Sequence, residues 1–262
     1  MKLAASNIAW SAEQDAKMYR RLQEMGIRGL EAAPTRLFPE QPYSLEHCRQ
    51  AERLRERLKR TYGLSVVSLQ SIWYGRQEML FGSEDERSAL LLYTKQAIDF
   101  AASLHCPNLV FGSPRNRVGG NEHMEIARQF FLAVGAYAHA HGTVVAIEPN
   151  PVIYQTDFLT TTEETIRFVE ELAAPGIAVN LDIGTMVANG ESAEILRGHL
   201  RWIHHVHISE PYLTGIRPRE LHSEVCCMLA GEAYPGYVSL EMKQQEELGG
   251  LTESLHYLMR LE

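Results

Sequence analysis

Eight short apolar segments alternate with longer amphipathic segments along this 262-residue chain. The candidate strands are Leu3–Ile8, Ile27–Ala32, Leu64–Gln70, Asn108–Gly112, Val144–Glu148, Ala178–Asp182, Ile203–Ile208 and Tyr237–Glu241. Each interval between them leaves room for one helix and two loops, which is typical of parallel strands covered by helices. Eight such units match the size of a (β/α)8 barrel, whereas a doubly wound sheet usually has fewer strands. The sequence therefore predicts an α/β protein with a (β/α)8 barrel.

The chain shows no boundary between domains. It has no Pro-, Gly- or Ser-rich linker, no low-complexity tract and no shift in composition. Three S/T-x-x-E/Q sequences, the capping box of a helix start, each follow a candidate strand: Ser11 with Gln14, Ser83 with Glu86, and Thr161 with Glu164. We therefore expect a single domain over residues 1–262, an eight-stranded TIM barrel.

Composition excludes several classes of partner. The chain has 25 Lys and Arg against 33 Asp and Glu, a net charge of −8, which is the wrong sign for a protein that neutralises nucleic-acid phosphates. No run approaches the ~18 consecutive apolar residues of a membrane span. The four cysteines form no CxxC pair, which favours reduced thiols. We expect a cytoplasmic protein that binds neither nucleic acid nor membrane.

The last four candidate strands share a pattern of alternation. Side chains of a strand point alternately to its two faces, so one set enters the barrel and the other meets the helices. In each of these strands one set is mostly aliphatic, and the other ends in a side chain that can bind a metal ion: Glu148, Asp182, His207 or Glu241. All four lie at the carboxyl ends of their strands, where barrel enzymes place their chemistry.

Three carboxylates and one imidazole suit a divalent cation. Oxygen ligands with one nitrogen favour Mn²⁺ or Mg²⁺, with Co²⁺ or Zn²⁺ as further options. A single carboxylate at a strand end is more often a helix cap or an ion-pair partner. Burying three carboxylates close together without a cation would carry a large cost in free energy, however. The four residues together therefore predict a metal site.

Four segments carry a resemblance to a known superfamily. They are Val145-Ala146-Ile147-Glu148-Pro149-Asn150, Val179-Asn180-Leu181-Asp182-Ile183-Gly184, His205-Val206-His207-Ile208-Ser209-Glu210 and Gly236-Tyr237-Val238-Ser239-Leu240-Glu241-Met242-Lys243. In order and spacing the chain resembles the xylose isomerase-like barrels, which include the sugar and sugar phosphate isomerases and epimerases. The resemblance implies that Glu148, Asp182, His207 and Glu241 hold one divalent ion, and that the two glutamates are also an acid/base pair. It also implies a homo-oligomer as one possible assembly.

The implied chemistry follows from the acidity of sugars. A proton next to a carbonyl is too weak an acid for a carboxylate unless the enediolate is stabilised as it forms, which a cation can do. Glu148 and Glu241 are therefore predicted as the acid/base pair of an isomerase or epimerase that acts on a sugar or sugar phosphate.

Two positions depart from the superfamily pattern. Many of its epimerases have a His three residues after the metal-binding Asp, where this chain has Thr185, and an Arg a few residues after the metal-binding His, where Pro211-Tyr212-Leu213 follows Glu210. Both of those family residues contact substrate oxygens. Endonuclease IV, another relative, needs further zinc ligands and a basic face that this chain does not offer.

Other polar and aromatic residues at strand ends are candidate substrate contacts. The predicted substrate-binding residues are Glu31, Gln70, Trp73, Ser113, Arg115, Arg117, Asn150 and Lys243. An aromatic ring can stack on a sugar face, amides can bind hydroxyls, and an arginine can hold a phosphate or carboxylate. His205 is expected to be structural, one layer below the metal.

Two alternatives to the isomerase or epimerase remain open. A dehydratase acting on an inosose-like ketone would use the same metal site but expel a hydroxyl group. A sugar-binding barrel without turnover would keep the shape alone, and Thr185 and the missing arginine keep that interpretation open.

Overall fold

The structure is a computed structural model that describes residues 1–120, 123–244 and 248–261. Its strands are β1 Lys2–Ser6, β2 Gly29–Ala32, β3 Ser65–Leu69, β4 Asn108–Phe111, β5 Val144–Ile147, β6 Ile177–Asp182, β7 Ile203–Ile208 and β8 Tyr237–Leu240. Every strand pairs in parallel with its sequence neighbours, and β8 pairs with β1 to close the barrel. The predicted (β/α)8 barrel is confirmed. The predicted strand bounds shift by one or two residues, so Glu148 and Glu241 lie one position beyond β5 and β8.

Helices cover the outside of the barrel between consecutive strands. They are α1 Asp15–Glu24, α2 Pro34–Leu37, α3 Leu45–Tyr62, α4 Glu84–Leu104, α5 Met124–Ala140, α6 Thr162–Leu172, α7 Ile183–Asn189, α8 Glu220–Gly231 and α9 Leu248–Arg260. The three predicted capping boxes are present. None of the described helices combines the length and apolar character needed to cross a membrane.

The two faces of the last four strands separate apolar from polar side chains. The aliphatic set is fully buried and belongs to the core under the helices: Val145, Ile147, Val179, Leu181, Val206, Ile208, Val238 and Leu240. The opposite set points into the barrel, where Asn180, His205 and Ser239 are at most 1% exposed. Asp182 of β6 is in register with His207 of β7, so pairing itself brings two of the predicted metal ligands together.

The barrel wall is closely packed around Gly29, where β1, β2 and β8 meet. A methyl group on Gly29 would lie 2.6 Å from Cβ of Ala4 and 2.9 Å from both the Leu3 carbonyl oxygen and Cδ1 of Tyr237. We expect Gly29→Ala to lower the free energy of unfolding by about 1–3 kcal/mol, because the added carbon overpacks the wall. Urea unfolding would measure the change.

Gly231 provides the matched control for that substitution. It is the last residue of α8, and an added methyl group there would meet no atom within 4 Å. Gly231→Ala should leave stability unchanged or raise it by up to about 1 kcal/mol, since alanine favours a helix. Equal losses of stability in both variants would contradict the packing argument.

Candidate metal centre

The four predicted metal ligands converge at the carboxyl end of the barrel. Glu148, Asp182, His207 and Glu241 each offer one ligand atom, and these atoms all lie within 4.8 Å of one another. Nδ1 of His207 lies 3.0 Å from Oε1 of Glu148 and 3.2 Å from Oε2 of Glu241. One imidazole nitrogen therefore faces two carboxylates across the centre of the group.

Hydrogen bonds from Thr185 and Ser209 hold both carboxylate oxygens of Asp182. Its Oδ2 accepts hydrogen bonds from the backbone N–H of Thr185 at 2.7 Å and from the Thr185 hydroxyl at 2.8 Å, which caps α7. The Ser209 hydroxyl donates to Oδ1 of Asp182 and accepts the N–H of Gly184 at 2.9 Å. Thr185 is thus a support for Asp182, and it is buried rather than open to the cavity.

Glu148 is fixed at both carboxylate oxygens by amides. Asn180 donates to Oε1 at 2.8 Å, and Asn150 donates to Oε2 at 3.1 Å. The Arg117 guanidinium donates to the backbone carbonyl of Glu148 at 2.8 Å and holds the end of β5. The sequence analysis did not predict Asn180 as a site residue. The alternation of strand side chains could have identified it, because Asn180 lies two residues before Asp182 on the same face of β6.

Glu31 lies below His207 in the barrel interior and does not line the cavity. Its Oε1 is 2.9 Å from Nε2 of His207 and 3.5 Å from Nε2 of His205, and all three side chains are at most 1% exposed. The predicted role of Glu31 as a substrate contact is contradicted by this depth, because β2 delivers it one level below the cavity. A carboxylate on the far nitrogen of a ligating histidine orients the ring and fixes which nitrogen carries the proton.

His205 lies one layer below the candidate ligands, as expected. It also lies 3.0 Å from the Ser239 hydroxyl, and burial lowers its pKa to about 3. The group Glu31, His205 and His207 has ligand-type atoms close together as well. Because these side chains already bind one another in the closed interior, we assign the cation to the group that opens to the cavity.

The charges of the candidate centre favour a cation. Burial, helped by the charge of Glu148, raises the pKa of Asp182 to about 6 and that of Glu241 to about 7. Burial would lower the pKa of His207, but the carboxylates of Glu241 and Glu31 hold it well above its ordinary value. Without a metal ion, protons must therefore supply part of the positive charge that these carboxylates need. The donor set fits a divalent cation that takes the place of those protons.

Metal affinity should consequently fall as the pH falls. Below pH about 7, first Glu241 and then Asp182 bind protons in the metal-free protein, and a cation must displace them. Each displaced proton weakens binding by up to about tenfold per pH unit. Titration of Mn²⁺ into metal-free protein between pH about 5.5 and about 8.5 would measure this slope. An affinity independent of pH would contradict it.

Above this centre lies a cavity of about 360 Å³. Among the predicted substrate-binding residues, Gln70, Ser113 and Asn150 line it. The Gln70 amide donates to the Ser6 hydroxyl at 2.6 Å, and Oδ1 of Asn150 is buried without a hydrogen-bond partner among the described residues. These three residues are therefore placed where polar contacts with a ligand were expected.

The other predicted substrate contacts lie elsewhere. Trp73 is 1% exposed, packs against Phe111, and donates to the Thr94 hydroxyl at 2.8 Å, so it belongs to the core and its predicted role is wrong. The Arg117 guanidinium is fully buried behind β5, and Arg115 is exposed and donates to Oε1 of Gln77 at 2.6 Å. The Lys243 side chain is exposed and also does not line the cavity. The burial of Arg117 contradicts its predicted contact with substrate, whereas the contacts of Arg115 and Lys243, which do not line the cavity, stay predictions.

Two loops contribute lining residues that the sequence-based list of site residues lacks. Tyr154 and Tyr212 form one wall, where the Tyr212 N–H donates to the Tyr154 hydroxyl at 2.7 Å and the rings meet edge to face at 5.7 Å. Glu210 lines the cavity beside them and is paired with Arg219. Tyr212 adopts a left-handed φ of 60°, which no local sequence signal specifies.

Comparison with known proteins identifies the family of this barrel. The family model described as xylose isomerase-like TIM barrel matches residues 19–261. The chain belongs to this family, and the resemblance noted in the sequence is thereby confirmed. A sequence search against curated proteins finds no match.

Several solved structures share the fold at low sequence identity. The apo form of 3-keto-D-glucoside 4-epimerase YcjR from E. coli has a TM-score of 0.78 and 19% identity, covering 99% of both chains. D-psicose 3-epimerase from Clostridium cellulolyticum H10, solved with D-tagatose, has a TM-score of 0.75 and 18% identity over 93% of this chain and 85% of that one. An AP endonuclease of family 2 from Brucella melitensis has a TM-score of 0.75 and 20% identity, covering 98% of this chain and 99% of its own.

Proposed function

We propose that this protein is a metal-dependent sugar isomerase or epimerase, in which Glu148 and Glu241 remove and return a proton next to a carbonyl group. The observation that carries the proposal is the pair of glutamates that line one cavity and reach the same candidate cation site. Two solved structures with this fold are sugar epimerases by name, which supports the same class of reaction.

The candidate ligands fit one divalent cation, with Mn²⁺ or Mg²⁺ favoured over Co²⁺ or Zn²⁺ by the three carboxylates. When bound, it supplies the positive charge that stabilises the enediolate formed after proton removal. Asp182 and His207 would hold it between the two glutamates. His207 would bind through Nδ1, because Glu31 occupies Nε2.

Hydrogen bonds fix the orientation of the Glu148 carboxylate. Amide donors from Asn180 and Asn150 hold its two oxygens, so the carboxylate keeps one direction toward the cavity. Glu241 has a different setting, because its Oε2 lies 3.2 Å from His207 and burial raises its pKa to about 7. That pKa belongs to the metal-free protein, and a cation bound by Glu241 would lower it. Both carboxylates reach the cavity beside a bound substrate, so one can take a proton and the other can return it.

Deuterium exchange tests this proposal directly. Metal-loaded protein would be incubated with a panel of ketoses and aldoses in D₂O, and the products followed by NMR and mass spectrometry. The proposed reaction gives a stereoisomer or isomer that carries deuterium next to the carbonyl and keeps its water. Loss of water would establish a dehydratase instead, and sugar binding without exchange would establish a binding protein.

A further inference from the structure

The charged side chains that line the cavity are all acidic within the described part of the chain. They are Glu148, Asp182, Glu210 and Glu241. Glu210 is neutralised by Arg219, whose Nε and Nη2 lie 2.7 and 2.5 Å from its two oxygens. A divalent cation on the remaining three carboxylates would leave the cavity with a net negative charge.

Three arginines around the cavity are hydrogen-bonded to other groups. Arg117 donates to the backbone of Glu148 from behind the strand, Arg115 donates to Gln77, and Arg219 pairs with Glu210. The six residues outside the described ranges add no basic side chain, because the sequence there reads Asn121, Glu122, Gln245, Glu246, Glu247 and Glu262. Among the described lining residues, a phosphate or carboxylate group in this cavity would thus meet carboxylates and no arginine or lysine.

The rest of the lining is neutral and divides into two kinds of surface. Hydroxyl and amide groups come from Gln70, Ser71, Ser113 and Asn150. Apolar and aromatic surface comes from Val110, Pro114, Tyr154, Tyr212 and Leu213. Sugars present the same two kinds of surface, with hydroxyls at the edge and C–H groups on the ring faces, and aromatic rings pack well on such faces.

We infer that the substrate is an uncharged polyhydroxylated carbonyl compound, without a phosphate or carboxylate group, held against the wall of Tyr154, Tyr212 and Leu213. The inference rests on the proposed function, since it names the substrate class of the same site. It selects one of the two substrate classes, sugar and sugar phosphate, that the sequence leaves open.

Matched pairs of substrates test the inference. Each of D-fructose, D-tagatose, D-ribulose and D-xylulose would be compared with its terminal phosphate ester for deuterium exchange in D₂O with the Mn²⁺-loaded protein. We expect kcat/KM for exchange to be on the order of 100-fold higher for the neutral member, because the ester brings like charges together. Faster exchange of the esters would overturn the inference and leave the proposed function standing. Exchange in neither member of any pair would overturn both.

A variant of the aromatic wall provides a second measurement. Tyr212→Ala should raise KM for the neutral substrate by about tenfold and change kcat much less, because the ring contacts the sugar away from the reacting carbon. Tyr74→Ala is the matched control: Tyr74 is 71% exposed, similar to Tyr212 at 59%, but does not line the cavity. An unchanged KM in Tyr212→Ala, or an equal rise in both variants, would overturn the assigned wall.

Discussion

Glutamine in place of Glu241 or of Glu148 should lower net conversion of substrate by about 10²- to 10⁴-fold, the usual contribution of a general acid or base. Glutamine keeps the size of the side chain and an oxygen for the cation, but it cannot accept the proton. Both side chains lie in the same cavity and within ligand distance of one another, so each loss should be large by itself. Conversion would be followed by NMR with equal metal content in all samples.

Exchange measured separately on the two stereoisomers gives the sharper result for an epimerase. If one glutamate serves each face of the substrate, each variant should stop deuterium exchange in one stereoisomer and retain it in the other. Glu148→Gln and Glu241→Gln should then show opposite patterns. A misfolded protein or a lost cation would abolish exchange in both isomers. Turnover near the wild-type rate in either variant would remove that residue from the mechanism.

Chelation of the metal should abolish activity and lower thermal stability together. The candidate ligands lie on β6 and β7 and one residue beyond β5 and β8, so a bound cation joins the ends of four strands at the barrel mouth. A ligand at 100 times its Kd stabilises the folded state by about 2.7 kcal/mol. For a chain of this size that corresponds to a shift in Tm of about 5–10 °C. Dialysis against EDTA followed by addition of Mn²⁺ should remove and then restore both properties.

Asp182→Asn tests the same centre without a chelator. It removes one of the three carboxylate charges and should raise the Kd for Mn²⁺ by at least about tenfold, because a neutral amide oxygen is a weaker ligand. Glu163→Gln is a matched control, since Glu163 is an exposed residue of α6 that pairs with Arg167 on the same helix. Equal Kd values for Mn²⁺ in Asp182→Asn and the control would contradict the assigned centre.

The residues that sequence alone located well are those whose position depends on local geometry. Alternation along a strand places Glu148, Asp182, His207 and Glu241 on the inner face, and parallel pairing brings the strand ends to one rim. The barrel itself follows from the order of apolar segments. Both inferences need only the two-residue alternation of side chains in a strand and the order of strands and helices along the chain.

The residues that sequence misplaced depend on packing between distant segments. Trp73 and Arg117 follow strands, as rim residues do, but their loops turn them into the core and behind β5. Glu31 lies on the inner face of β2, as expected, but deeper in the barrel than the cavity. Its depth depends on how β2 is staggered along the barrel axis relative to β7. Tyr212 reaches the cavity through a left-handed backbone angle. None of these features has a local sequence signature.

The candidate ligands come from consecutive strands, and this determines which loops can change during evolution without affecting the cation site. All four donor groups come from β5 to β8 or the residue that follows the strand, and from the other half of the barrel Glu31 contacts His207 and Arg117 holds the backbone of Glu148. Loops that follow β1 and β3 supply none of these donor groups and can be lengthened, shortened or exchanged with little effect on cation binding, whereas the loop after β4 carries Arg117. Ligand preference can thus be altered through the loops after β1 and β3 separately from the ion, whereas the wall of Tyr154, Tyr212 and Leu213 comes from the same half of the barrel as the cation ligands.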